Sequence, residues 1–267
     1  MLSPDNLTIG QMTELLTDLT APVLEAGAVI MEIHQRGVVA RTKPDGSPVS
    51  EADEAAEAVL LAALADVAPD IPVVSEENAA SHMIDPPRAF FLVDPIDGTR
   101  EFLRADGNGA FTVNIGLVID RRPVFGIVHA PALDRFFAGI VGNGAWETSG
   151  GETRNIRVRD VPGDGPLAVA SRSHRDPQTN EWLEAHRITN TIATGSSVKF
   201  GLLAAGEADV YPRFGPTMEW DTAAGEAVLL AAGGRVAFLD GSDFTYGKPD
   251  FRNTPFIAYA GYDDRAD

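Results

Sequence analysis

Phe90-Phe91-Leu92-Val93-Asp94-Pro95-Ile96-Asp97-Gly98-Thr99 runs an apolar segment directly into two carboxylates, a tight turn and a hydroxyl. The apolar run predicts a buried strand ending at Val93, which delivers Asp94 to the edge of a sheet. Pro95 then fixes the backbone so that Asp97 turns back toward Asp94, and two carboxylates can share a cation. Gly98 lets the backbone approach a phosphate, and the Thr99 amide sits where an anion binds at a helix start. Mg2+ prefers oxygen ligands of this kind. Each part also has a plain reading, because Asp-Gly is a common turn and Asp97 a common helix cap. Both carboxylates together with Gly98 and Thr99 favour a site for metal beside phosphate.

Two further acidic points frame this motif. Ser75-Glu76-Glu77 follows the apolar Ile71-Pro72-Val73-Val74. Neighbours on an extended chain point to opposite sides, so one glutamate at most faces Asp94, and Glu76 is the expected ligand. Far downstream, Trp220-Asp221-Thr222 opens a helix-like segment, where Asp221 serves either as a cap or as a further ligand. Asp53 falls in the first turn of a predicted helix. It is either a partner of the helix dipole or, with Thr99, the proton acceptor for an attacking water. Phosphatases with an aspartate nucleophile also place Asp-x-Asp-Gly-Thr after a strand. In that spacing both carboxylates share a face of the strand, whereas the spacing here is one residue longer and suits metal ligation better.

The 267 residues are enough for one large domain or two intimate subdomains. With 39 acidic and 21 basic residues the net charge is -18, which argues against a nucleic-acid partner. A phosphorylated substrate would need local positive charge from metal ions and a few placed Lys or Arg residues. There is no cysteine, hence no disulfide, thiolate nucleophile or cysteine metal site. Residues 1–11 lack a basic, then apolar, leader, and no stretch is long and apolar enough to span a membrane. The expected location is the cytoplasm.

Leu15, Leu19, Val23, Ala26, Ile30 and Ile33 recur at steps of three and four, predicting a helix over residues 8–35 with Pro22 as a candidate kink. Ser50 is placed to cap a second helix over residues 51–66. Short runs rich in Val, Ile and Phe predict strands at 90–93, 111–119, 124–129 and 136–141 in one sheet. Strands at 167–170, 191–193, 209–211, 235–238 and 256–260 then alternate with helices at 178–185, 197–205 and 221–232, an α/β pattern. A change of pattern near residues 158–165 divides the chain into subdomains 1–160 and 161–267, the second contributing Asp221.

Glu76, Asp94-Pro95-Ile96-Asp97-Gly98-Thr99 and Trp220-Asp221, in that order, resemble the lithium-sensitive, Mg2+-dependent phosphatases that include inositol monophosphatases and fructose bisphosphatases. Ser47-Pro48-Val49, Glu101-Phe102, Phe111-Thr112-Val113-Asn114, Ser171-Arg172-Ser173-His174, Gly195-Ser196-Ser197 and Tyr211-Pro212-Arg213-Phe214-Gly215-Pro216-Thr217 resemble the bacterial 3'(2'),5'-bisphosphate nucleotidase branch more closely. The resemblance implies a layered αβαβα sandwich and hydrolysis of the 3'-phosphate of adenosine 3',5'-bisphosphate. It implies that Glu76, Asp94, the Ile96 carbonyl, Asp97 and Asp221 hold two or three Mg2+ ions, and that Thr99 and Asp53 orient a water. Gly98, Thr99, Ser196, Lys199, Arg213 and Asp221 would contact the nucleotide, with His174 near the base or ribose. His174, Lys199 and Arg213 also have surface or ion-pair readings. Ser50 stands where many relatives have Thr. The loop over residues 103–110 is longer than usual, with Ala110 where relatives often carry an acid. Two other functions compete: a phosphatase for inositol phosphates or related sugar phosphates, and a non-catalytic Mg2+ or nucleotide-binding regulator.

Overall fold

Thr8 starts the first helix with a reciprocal capping box. Its hydroxyl accepts the Gln11 N–H at 3.3 Å while the Gln11 side chain accepts the Thr8 N–H at 3.0 Å. Helix α1 (Ile9–Arg36) buries the predicted stripe from Leu15 to Ile33 and continues helically through Pro22. Helix α2 (Glu51–Val67) is capped by Ser50, whose amide donates to Asp53 at 2.8 Å. The computed structural model describes residues 7–38, 40–42, 48–104, 109–171 and 176–262.

Among these residues, a seven-stranded sheet takes its strands in chain order: Val73–Ser75, Ala89–Asp97, Thr112–Ile119, Arg122–Ala130, Arg135–Ile140, Gly144–Ser149 and Glu152–Ile156. The first pair is parallel and the rest are antiparallel. Phe91 and Val93 join the core beneath α1 and α2, whereas Phe90 and Leu92 face the core on the other side. Burial on both faces explains why this strand reads as a continuous apolar run instead of an alternating one. The other helices are α3 (Thr99–Phe102), α4 (Pro177–Ala185), α5 (Val198–Ala204) and α6 (Ala223–Ala231). A five-stranded sheet runs in the order Asn190–Thr194, Leu167–Ser171, Val210–Arg213, Phe256–Tyr259, Arg235–Phe238. Helices α5 and α6 lie between the two sheets, and Leu183 of α4 packs on the outer face of the second. The layers are therefore αβαβα, as the resemblance implied. No helix among the described residues is long and apolar enough to cross a membrane.

Two regions depart most from the reading of the sequence. Strands Gly144–Ser149 and Glu152–Ile156 were not expected; the second is exposed at all but its last residue and so carries no apolar signal. Their turn, Gly150-Gly151, has φ of 58° and 79°, a backbone that favours glycine in tight hairpins. Secondly, α6 begins at Ala223. Asp221 belongs to a 3-10 turn, Glu219–Asp221, ahead of it, and does not cap the helix.

Gly116, Gly126 and Gly139 lie directly opposite one another across three adjacent strands. Helix α6 sits in this lane. A Cβ on Gly116 would come within 2.7 Å of the Ala224 amide nitrogen, and one on Gly139 within 2.6 Å of the Val228 Cα. At Gly126 it would overlap the Ala224 carbonyl oxygen. Overpacking of this kind costs about 1–3 kcal/mol. Gly126→Ala is therefore expected to lower the melting temperature by several degrees, measured by circular dichroism.

On α6 the buried Glu226 accepts a hydrogen bond from the Tyr246 hydroxyl at 2.6 Å. Burial pushes its carboxyl from the ordinary 4.5 up to about 8. The folded protein keeps a proton that the unfolded chain releases. Stability from this group is complete below the ordinary carboxylate pKa and is lost as pH rises toward about 8. Denaturant midpoints of wild type should fall more steeply over that interval than those of Glu226→Gln.

Candidate active site

The strand Ala89–Asp97 pairs Asp94 with Asn114 and Asp97 with Thr112, so three steps on one strand oppose two on its neighbour. That extra residue is a β-bulge, a position where proline is tolerated in a sheet, and it turns both carboxylates to one side. On the other flank Ser75 pairs with Val93, and the Glu76 amide donates to the Val93 carbonyl at 3.1 Å. Glu76 thereby emerges beside Asp94, whose carboxyl it helps to hold above its ordinary range. Asp221 arrives from the other half of the chain on the turn ahead of α6. Glu219 anchors this turn by accepting the Gly247 and Lys248 amides at 2.7 and 2.9 Å.

Glu76, Asp94, Ile96, Asp97, Gly98, Thr99 and Asp221 all line one cavity of about 750 Å³, together with Ser196, Lys199, Tyr211 and Arg213. Glu77 is not among the lining residues. Burial, and then the neighbouring Glu76, Asp97 and Asp221, hold the Asp94 carboxyl well above the usual carboxylate range. Burial followed by Asp97 and Glu76 does the same to Asp221. Asp97 is raised by burial, against the opposing pull of Lys199 and Ser197. Like charges about 4 Å apart near a protein surface repel by about 4 kcal/mol, so cations among these acids would relieve their crowding. Asp94 Oδ1 is buried and has no hydrogen-bond partner among the described residues. No group of three or more acidic or imidazole side chains among those residues is arranged to hold a metal ion as it stands.

Asp53 is buried and stands behind Thr99 instead of lining the cavity. Thr99 Oγ1 faces Asp53 Oδ1 at 3.5 Å and the Ile96 carbonyl at 3.2 Å. The other Asp53 oxygen accepts the Ser50 amide and hydroxyl at 2.8 and 2.7 Å. One Asp53 oxygen thus caps α2 and the other looks toward Thr99. Gly98 adopts φ 94° and starts α3.

In the same cavity Lys199 is buried, its Nζ donating to the Ser196 carbonyl and lying 5.2 Å from the centre of the Tyr211 ring. Burial lowers its amine to about 8, with Asp97 opposing and Arg213 reinforcing the shift. Burial pushes the Tyr211 phenol up to about 12. Arg213 donates to the Gly215 and Pro216 carbonyls at 3.1 and 2.9 Å. Ser196 has φ 50°, a left-handed backbone that costs a non-glycine residue about 1 kcal/mol or more. His174 lies outside the described residues, as do residues 105–108 of the longer loop.

Two residues assigned no role from the sequence tie the site together. Ser197 Oγ sits 3.1 Å from Asp97 Oδ2 and 2.7 Å from the Asp221 carbonyl, and it accepts from Asn114 Nδ2 at 3.0 Å. It links both halves of the chain. Asn114 is a lone amide between Val113 and Ile115 in a buried strand, and that anomaly was its signal in the sequence.

The model of the inositol monophosphatase family matches residues 11–260. The chain is 43% identical over 224 residues to the 3'(2'),5'-bisphosphate nucleotidase CysQ of Salmonella typhimurium, covering 83% of this chain and 89% of that protein. Among solved structures, CysQ from Bacteroides thetaiotaomicron is 34% identical with a TM-score of 0.78, covering 94% of this chain and 98% of that one. The inositol monophosphatase from Anabaena is 26% identical with a TM-score of 0.73, covering 95% and 92%. With its full run of strands, its bulged acidic motif and relatives matched along most of their length, the chain belongs to the inositol monophosphatase family.

Proposed function

We propose that this protein is a Mg2+-dependent 3'(2'),5'-bisphosphate nucleotidase, which converts adenosine 3',5'-bisphosphate to AMP and phosphate. The observation that carries this reading is a single cavity lined both by buried acids and by the buried cations Lys199 and Arg213. A substrate with two phosphates offers one to the acids with their metal ions and one to Lys199 and Arg213, whereas an inositol monophosphate offers only one. The name of the 43% identical Salmonella relative supports the same substrate class.

Glu76, Asp94, Asp97, Asp221 and the Ile96 carbonyl would hold two or three Mg2+ ions. They fit such ions because every donor is a hard oxygen, and because Asp94 Oδ1 is buried without a hydrogen-bond partner among the described residues. Bound Mg2+ supplies positive charge against phosphoryl oxygens and lowers the pKa of water.

The chain's own groups do the positioning. Thr99 accepts a hydrogen bond from the attacking water and relays a proton to Asp53, whose orientation Ser50 fixes. The water oxygen bonds to phosphorus in line as the bond to the 3'-oxygen breaks, and the leaving oxygen takes a proton from solvent. No covalent enzyme intermediate forms. Gly98 leaves room for the reacting phosphoryl group, while Ser196, Lys199 and Arg213 hold the distal phosphate and His174 meets the base or ribose. In this arrangement a subdomain of residues 1–160 brings most of the metal ligands. A second, of residues 161–267, brings Asp221 and the nucleotide contacts.

Phosphate release should be measured from a panel of phosphorylated nucleotides and inositols, with and without Mg2+. Adenosine 3',5'-bisphosphate is expected to be the preferred substrate; a much higher kcat/KM on inositol 1-phosphate overturns the nucleotidase reading. Asp94→Asn should reduce turnover on the order of a thousandfold or more. Its melting temperature should hold or rise, because a repelling charge is removed. Lys199→Ala should raise KM for the bisphosphate by about tenfold or more while changing KM for a nucleoside 3'-monophosphate far less. Li+ titrated at fixed Mg2+ should inhibit.

A further inference from the structure

Glu76 and Asp221 stand on segments with very different support. The Asp221 turn is locked: Glu219 beside it is fully buried and grips two backbone amides, and Trp220 packs against Phe251 with ring centres 6.5 Å apart. The segment after Glu76 is held differently. Its 3-10 turn Ala79–Met83 buries no residue, and Met83 is 85% exposed. Short polar contacts fold it back instead. The Ser75 amide donates to Ser81 Oγ at 3.0 Å, and His82 Nε2 lies 2.8 Å from the Ser75 carbonyl. The His82 ring also stacks on Trp220, at 4.7 Å between centres and 21° between planes.

We propose that His82 is a positioning residue that joins the Glu76 segment to the Asp221 turn and so sets the spacing of these two carboxylates for the divalent ion. One end of the imidazole holds the carbonyl immediately before Glu76, and its face rests on the side chain immediately before Asp221. His82 itself also lines the cavity wall. Glu76 itself is tied to the sheet by its amide, but the turn that follows it buries no residue, and without His82 the cation must supply the ordering there that the protein now supplies in advance. Groups that orient metal ligands in this way commonly contribute about 10–100-fold to affinity.

This inference rests on the reading of Glu76 and Asp221 as cation ligands. Isothermal titration of the whole protein with Mg2+ alone tests it, alongside the rise in melting temperature that Mg2+ produces and the half-saturating Mg2+ for phosphate release. His82→Ala is expected to weaken Mg2+ binding by about tenfold or more and to shrink the thermal shift. Its kcat at saturating Mg2+ should fall by less than about threefold. If the alanine variant does not fold, His82→Gln, which keeps a donor for the Ser75 carbonyl but removes the stack, takes its place with the same expected direction. Wild-type Mg2+ affinity in the His82 variant, with Glu76→Gln weakened, overturns the positioning role and leaves the ligand reading intact. Unchanged Mg2+ affinity in Glu76→Gln removes the ligand reading itself, and the role of His82 with it.

Discussion

Asp221 reaches the other acids because α6 lies almost against the backbone of the large sheet. Gly116, Gly126 and Gly139, aligned across three strands, provide the lane that allows this approach. Ala223, Ala224 and Ala227 on the helix answer with small side chains of their own. A side chain in the lane would lift the helix, and with it the turn that carries Asp221. Displacements of about 1 Å cost on the order of a hundredfold in rate at sites that work by alignment. A packing constraint between two layers thus governs the geometry of the cavity, although none of the three glycines touches it.

The same packing holds together groups that repel one another. Asp94, Asp97 and Asp221 are each pushed toward the protonated form by burial and by their acidic neighbours. Their positions follow from backbone pairing: the bulge at Asp94 to Asp97, the parallel rung that ends at Ser75, and the amides captured by Glu219. Ser197 adds a hydroxyl between the Asp97 carboxylate and the Asp221 carbonyl. Stability comes from the two cores on either face of the sheet, and the acidic site draws on it.

Much of this was legible in the sequence, for identifiable reasons. The stripe from Leu15 to Ile33 and the apolar run from Phe90 to Val93 are local patterns, and local pattern determines helix and strand where burial is strong. Asp94 and Asp97 were readable as a pair because Pro95 and Gly98 punctuate them. The strand Glu152–Ile156 was silent, since an exposed edge strand needs no apolar residue. The glycine lane was silent too, because its three members are separate in the chain and align only through strand register. His82 had no signal at all; its significance is a contact with Trp220 that only the tertiary fold creates. Asp221 was found, but in the wrong element, since a 3-10 turn feeding a helix and the first turn of that helix look alike in one dimension.

The charge of the chain poses a last question, which the cavity answers. A molecule with a net charge of -18 repels a bisphosphate on average. Lys199 and Arg213 are buried, where the low dielectric strengthens their attraction for an anion and water competes poorly. Among the described residues, the backbone carbonyls of Ser196, Gly215 and Pro216 accept hydrogen bonds from these two side chains and hold them in place. In the nucleotidase reading, one phosphate held by these two cations would leave the other to the acids, where it would meet reactive geometry only with divalent ions in place.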